Sequence, residues 1–507
     1  MINFLKKYHK WVSLIFAVII LLFAISGIIL NHRRMFSSIS IDRSIMPAEF
    51  AIKNWNNASV KSTIKLNDSS ILIYGNIGIW KTDSLFKDFT DFNNGIRKGI
   101  DRKKTCTVFQ SSDGSLFAGT LFDLYKYDFK DNKWQAITLP THERRVVDII
   151  EKDNKLLFLT RSHLIESSMD LSNFNVKELP YPENYDNKVS LFKTLWTIHS
   201  GEILGNAGKV FVDFMGLILI FLTITGIILF INKKRLIKRA RARKDVLSIV
   251  KTNKWNLKWH NKIGWTATFF LIIVSSTGIF LRPPLLIPIA DVKVGKIPGS
   301  ELDSDNAWFD KLRRIIYDDE NERFIIATLD GIYYSDDEFA SELKRFEHQP
   351  PASVMGVNVF HKTASNTYMI GSFEGLFVWN TQSGEIFDYV KKIPYKKPET
   401  RGAPIGEYLI TAYTNDYAGG EIAFCYNNGA INISNVNNSF PLPPQNILEA
   451  AKISLWNVAL EIHTGRIYKV FMGIFYILVV PISGFALLFI IISGFIVWWK
   501  MYKGIEN

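Results

Sequence analysis

Apolar positions along the chain follow two patterns. Four runs are long and unbroken, at residues 11–30, 210–231, 263–281 and 470–499. Each is close to the length of about 20 residues that carries a helix across the bilayer hydrocarbon. The first run is longer than the roughly 7–15 apolar residues of a secretory leader and is followed by no small-x-small cleavage site, so it reads as a retained helix. The last spans about 45 Å at 1.5 Å per residue and must tilt, bend near Pro481 or project from the membrane. A break near Gly484 would instead make five spans and put the C-terminus outside.

The stretches between the runs, about 33–198 and 283–462, alternate in the manner of strands. Short aromatic and β-branched segments are punctuated by Asp-Gly, Asn-Gly and Ser-Gly turns. ILIYGNIGIWKTD, SLFAGTLFDLYKYD, FIIATLDGIYYSD and TYMIGSFEGLFVWN each read as strand, small polar turn, strand. Gly78 to Asp123 is 45 residues and Gly331 to Gly375 is 44, the length of one four-stranded propeller blade. Each stretch holds about three or four such units. The expectation is a joint propeller of six to eight blades; two separate small β domains are the alternative.

The fold class is therefore a membrane protein with a four-helix transmembrane bundle plus an extracytoplasmic all-β, propeller-like domain. The expected parts are a first transmembrane helix over 1–32, the first β half over 33–198, and a second helix over 199–232. A basic cytoplasmic loop over 233–258 and a third helix over 259–282 follow. The second β half, 283–462, leads to the fourth helix and tail, 463–507.

Composition agrees with this division. Of 507 residues, 48% are hydrophobic and 21% charged, too apolar for one soluble domain and too charged for a bare channel, and 14% aromatic residues exclude disorder. Two cysteines, Cys106 and Cys425, exclude a disulfide scaffold, a four-thiolate zinc site and an all-cysteine iron–sulfur site. They read as two buried thiols, with a bridge between the halves as the alternative.

Charge sets the topology. Residues 232–258 carry eleven Lys or Arg against Asp245 alone, an excess of ten in a chain of net charge +12. Lys6, Lys7 and Lys10 precede the first run, and Lys500 and Lys503 follow the last. These ends belong in the cytoplasm, which puts both β segments outside. The basicity is thus membrane orientation and gives no support to nucleic-acid binding; docking of an acidic electron donor is the minor alternative for the loop.

Four of the nine histidines recur in register. His9 and His260 open the first and third runs, and each is followed 18 residues later by a glycine, Gly27 and Gly278. Five helical turns separate them, so each histidine shares a face with its glycine. His199-Ser200-Gly201 and His463-Thr464-Gly465 precede the second and fourth runs, which end in Thr225-Gly226 and Ser493-Gly494. The spans form a duplicated hairpin whose repeat axis pairs His9 with His260 and His199 with His463. Paired imidazoles at two depths of a bundle suit two bis-histidine heme b groups. Zinc would require more ligands than recur here.

His32 lies about 140° round the helix from His9 and reads as an interfacial or substrate-mouth residue. Arg33, Arg34 and Arg282 sit where the positive-inside rule disfavours them. They suit heme propionates or an anionic substrate, with lipid headgroups as the alternative. His142, His163, His348 and His361 read as ordinary residues of the β segments.

These motifs resemble the PepSY-associated transmembrane helix family, which includes ferric-siderophore reductases of the bacterial inner membrane. The resemblance rests on YHKWVSLIFAVIILLFAISGIIL, IHSGEILGNAGKVFVDFMGLILIFLTITGIIL, WHNKIGWTATFFLIIVSSTGIF and IHTGRIYKVFMG with ISGFIVWWK. It covers roughly a third of the chain. It implies a diheme protein that passes electrons outward to iron in imported chelates, with His9, His199, His260 and His463 at the family's histidine positions. Family members often carry compact PepSY domains outside the membrane, where this chain has propeller-like repeats.

The reading is a diheme b-type inner-membrane protein, multi-pass with both termini cytoplasmic, reducing a ferric chelate. The donor is a separate reductase or a quinol, because no dinucleotide-binding G-x-G-x-x-G follows a strand. The alternative is a heme-free sensor or assembly subunit whose propeller binds a protein partner. A transporter is disfavoured because the spans contain only Asp213, near one end.

Overall fold

In a computed structural model the chain forms two compact units, residues 1–36 with 187–304 and 455–507, and residues 37–186 with 305–454. Residues 1–353, 355–397 and 406–501 are described.

The first unit is helical. Its long helices are α1 (Ile2–Asn31), α3 (Gly205–Arg241), α4 (Leu247–Ile279) and α6 (Val479–Met501), with short helices α2 (Leu191–Ser200) and α5 (Leu455–His463) ahead of α3 and α6. Four helical segments are long and apolar enough to cross a membrane, and only 11 to 33% of each most apolar window is buried within the protein. The remaining apolar surface needs a hydrophobic solvent, so this is a multi-pass membrane protein. The last run stays one span: a 3-10 turn at Gly473–Leu478 leads into α6 before Pro481.

Helices α1 and α4 each pack against α3 and α6. Met215, Ala267, Leu271 and Ile491 form the centre of that bundle. The His-Ser/Thr-Gly motifs have a plain structural cause. Gly201 ends α2 at φ +79°, and Gly465 follows α5 at φ +77°. Glycine adopts this left-handed conformation without side-chain strain, so each helix stops just past its histidine. A Cβ on Gly201 would lie 2.1 Å from the Gly208 carbonyl oxygen, which fixes the tight α2–α3 corner.

Among the described residues the second unit holds six antiparallel sheets of three to five strands, each a meander. Three come from each β segment. Their leading strands are β1 (Val60–Lys65), β2 (Thr105–Gln110), β3 (Val146–Lys152), β4 (Leu312–Asp318), β5 (Val359–Ala364) and β6 (Ile410–Thr414). Consecutive leading strands are neighbours, and β6 also neighbours β1. Six hydrophobic clusters lie between sheets. That between the sixth and first joins Phe424, Ile422 and Ala412 to Trp80, Ile73 and Phe86. The terminal segments of the unit pair as Ser40–Ile41 with Ile453–Ser454. Five leading strands carry a bulge at their second residue, Lys61, Cys106, Val147, Arg313 and Thr411.

Both cysteines are free thiols; Cys425 is buried as expected, whereas Cys106, the bulge residue of β2, is half-buried.

Candidate functional site

The four repeat-related histidines occupy the helical unit in one recurring arrangement. The His9 ring lies against Gly494, the His463 ring against Gly27, the His199 ring against Gly278 and the His260 ring against Gly226. A Cβ on these glycines would lie 2.9, 3.3, 2.6 and 3.6 Å from the imidazole Cε1 in that order. His9 and Gly27 meet different partners, Gly494 of α6 and His463 at the end of α5. Gly27 makes room for the imidazole of His463, and Gly278 for that of His199.

Each glycine also uncovers the backbone carbonyl one turn before it. His9 Nδ1 donates to Ile490 O at 3.0 Å, His199 Nδ1 to Val274 O at 2.8 Å and His463 Nδ1 to Phe23 O at 3.1 Å. His260 bonds the Leu222 backbone in the same way. Three of the rings also meet the hydroxyl beside the glycine: Ser493 at 3.1 Å, Ser26 at 3.0 Å and Thr225 at 2.9 Å. Those hydroxyls donate their own protons to backbone carbonyls, so toward Nδ1 they act as acceptors.

This bonding sets the tautomer. A carbonyl can only accept, so Nδ1 carries the proton and Nε2 keeps its lone pair. Among the described residues, Nε2 of these four histidines has no hydrogen-bond partner. The rings of His199 and His463 stand 5.9 Å apart, centroid to centroid, at 50°. His9 lies within electrostatic reach of His260. Among the described residues no cluster of three or more His, Cys, Asp or Glu side chains could hold a metal ion. The imidazoles therefore come in pairs, without a further protein ligand.

The other expected residues lie elsewhere in the unit. His32 Nε2 meets Asp213 Oδ2 at 2.6 Å, and Asn31 donates to Asp213 Oδ1 at 2.8 Å. The sole acid of the spans is thus a structural partner for the end of α1. Arg33 stacks over Trp456 with 3.8 Å from its guanidinium carbon to the ring centroid. Arg282 lies in the field of Arg466, Tyr476 and Glu461, and Arg466 pairs with Glu461 at 2.5 Å. Arg34 also has a polar partner. Sequence reasoning passed over Ser26, Thr225 and Ser493 as participants, although their place before a repeated glycine was the available signal.

A family model described as the PepSY-associated TM region matches residues 6–501. No curated protein matches the chain. Among solved structures, the extracellular domain assigned to a hybrid two component system of B. thetaiotaomicron is 10% identical at a TM-score of 0.36. The match covers 80% of this chain and 34% of that one. A second, assigned to a one component system of the same organism, is 9% identical at a TM-score of 0.33, covering 78% of this chain and 39% of the other. The chain thus spans little more than a third of either, and scores this low assign neither fold nor function. The family match extends over almost the whole length, and the chain belongs to the PepSY-associated TM family.

Proposed function

We propose that this is a diheme b-type protein of the bacterial inner membrane that moves electrons outward to ferric chelates. One observation carries the reading. Four imidazoles in two pairs have Nδ1–H committed to a backbone carbonyl and Nε2 left without a partner. Metal-bound histidines are held in this way, with the second nitrogen fixing ring and tautomer. Two nitrogens at about 2 Å from a shared metal put imidazole centroids about 6 Å apart, which accords with the His199–His463 separation of 5.9 Å.

Bound heme would supply reversible one-electron chemistry at its iron. The chain's own residues do the rest. His9 and His260 would hold one group near the basic loop, and His199 and His463 the other at the opposite end of the bundle. Gly27, Gly226, Gly278 and Gly494 make room for each ring against its neighbour helix. Ser26, Thr225 and Ser493 add a second acceptor to the Nδ1–H bond. The basic loop stays cytoplasmic by the positive-inside rule, which gives the transfer its outward direction. The donor is a separate reductase or a membrane quinol.

The same reading takes the β unit as a six-bladed periplasmic propeller. Neighbouring leading strands that return from β6 to β1, and a hydrophobic cluster between the sixth and first sheets, support it.

The test is an absorption spectrum of the detergent-purified protein, oxidised and reduced, with a heme-to-protein ratio. Two b hemes per chain are expected, falling to one in His199→Ala or His463→Ala with the other site kept. A colourless protein from heme-replete cells, or full heme in all four histidine-to-alanine variants, overturns the reading.

A further inference from the structure

The sheet unit gathers cations at the starts of its leading strands that electron transfer through the helices leaves unused. Lys61 and Arg313 are the bulge residues of β1 and β4, and bulges re-aim side chains. Arg145 immediately precedes β3, Arg314 follows Arg313, and Arg161 follows the strand Lys155–Thr160 of the third sheet. They act on one another. Lys61 feels Arg145 and Arg314, and Arg313 feels Arg161 and Arg145.

The carboxylates nearby are too few. Asp148 meets Arg314 at 3.2 Å, Asp310 meets Arg161 at 2.8 Å, and Glu143 lies in the field of Arg161 and Arg313. Five cations thus face three carboxylates. Burial pushes the Asp148 carboxyl up from its ordinary value, against the pull of Arg314 and of the Ile149 and Ile315 backbone N–H groups. Lys61 Nζ donates to a neutral acceptor, Asn358 Oδ1, at 3.0 Å. Arg145 has no hydrogen bond or ion pair among the described residues, and its Nε is buried. Burial, with cations alongside, lowers the Lys61 ammonium to about 8 and the Arg313 guanidinium to about 9.

Enclosed like charges without counter-ions cost stability. Such an arrangement fits a site that an anion completes. The cluster is reachable, since the Arg161 and Asp310 side chains are 27% and 31% exposed. The cations come from the first, third and fourth sheets, so one small oxyanion would engage only some of them. Guanidinium forks match carboxylates in two-point contacts, and a ligand with several carboxylate arms would engage the set.

We propose that Lys61, Arg145, Arg161, Arg313 and Arg314 form a binding site for a small polycarboxylate. Naming its occupant as the carboxylate arms of an anionic ferric chelate rests on the electron-transfer reading; the site itself does not.

Isothermal titration of the detergent-purified full chain with citrate, ferric citrate, acetate and inorganic phosphate tests it. Citrate or its ferric complex is expected to bind, and acetate and phosphate much more weakly. Arg145→Gln should weaken citrate binding about tenfold to a hundredfold, the loss of one charge-assisted contact. Because it removes an unpaired cation, the unliganded melting temperature should hold or rise, which a merely structural arginine would not allow. Arg313→Gln should weaken binding alike; if packing against Gly356 prevents its folding, Arg145→Gln decides alone. Absence of citrate binding at millimolar concentration, phosphate binding as tight as citrate, or unchanged affinity in Arg145→Gln overturns the proposal. The titration needs neither heme nor a donor. A colourless protein that binds citrate sinks the electron-transfer reading alone, and a diheme protein indifferent to citrate sinks this one alone.

Discussion

The His199 and His260 seats are built from the same parts and differ in how tightly those parts fit. His199 sits over Gly278 with the least room of the four and bonds only the Val274 carbonyl, at 2.8 Å; the adjacent Thr277 hydroxyl donates to the backbone of its own helix. His260 sits over Gly226 at ordinary contact distance and has the Thr225 hydroxyl as a second partner. His199 and His463 ride on short helices that end one residue beyond the ring and at it, respectively, whereas His9 and His260 belong to the spans themselves. The difference teaches that one motif can be indispensable at one position of the bundle and tolerant at another.

Three substitutions test the comparison, from the strongest effect to the weakest. Gly278→Ala should be severe. Its Cβ must displace the His199 ring and break the bond to Val274, at about 1–3 kcal/mol for the lost buried contact. The heme-to-protein ratio should fall from two toward one. Gly494→Ala should act likewise on the His9–His260 site but less, with the spectrum of that heme broadened or partly lost and the other heme kept. Gly226→Ala should leave heme content unchanged. With nothing to displace, the ordinary helix gain of alanine over glycine, about 0.5–1 kcal/mol, should show as a slightly higher melting temperature. Equal effects of all three would break the comparison.

His361 is the control imidazole. It faces a cavity of about 660 Å³ in the sheet unit, beside Tyr413 and lined also by Asp416 and Glu421. Burial, with Arg314 adding to it, lowers its pKa from 6.5 to about 4. The fold therefore holds the neutral form. Its contribution to stability is complete above about pH 6.5 and declines as the pH falls toward 4, where the unfolded chain takes the proton more readily. His361→Gln should leave both hemes in place and flatten the loss of melting temperature between pH 7 and pH 5.

Much of this was legible along the chain, for physical reasons that can be named. The spans were visible because lipid demands continuous apolar length, and the sheets because Gly-containing turns recur about every 45 residues, as from Gly78 to Asp123. The histidine register was visible because a duplicated hairpin repeats its motifs. What each glycine serves was not, since Gly27 answers to His463 and only the packing of α5 on α1 joins them. The salt-linked role of Asp213 with His32 was hidden for the same reason. The basic cluster was illegible altogether: Lys61, Arg145 and Arg313 are far apart in sequence, and what unites them is their place at the start of a leading strand.

The four ring-on-glycine contacts have an ancestral consequence. His9 and His199 rest on Gly494 and Gly278, while His260 and His463 rest on Gly226 and Gly27. Every contact crosses between the two halves of the chain, and none is made within a half. That reciprocity is the signature of an isologous dimer, in which one patch meets its own copy about a twofold axis. A forebear carrying a single hairpin would have been unable to seat any of its imidazoles alone and would have seated all of them on pairing with itself. Fusion would then free each copy to drift, and the unequal clearances at the equivalent glycines, Gly278 against Gly27 and Gly494 against Gly226, are the measure of that freedom.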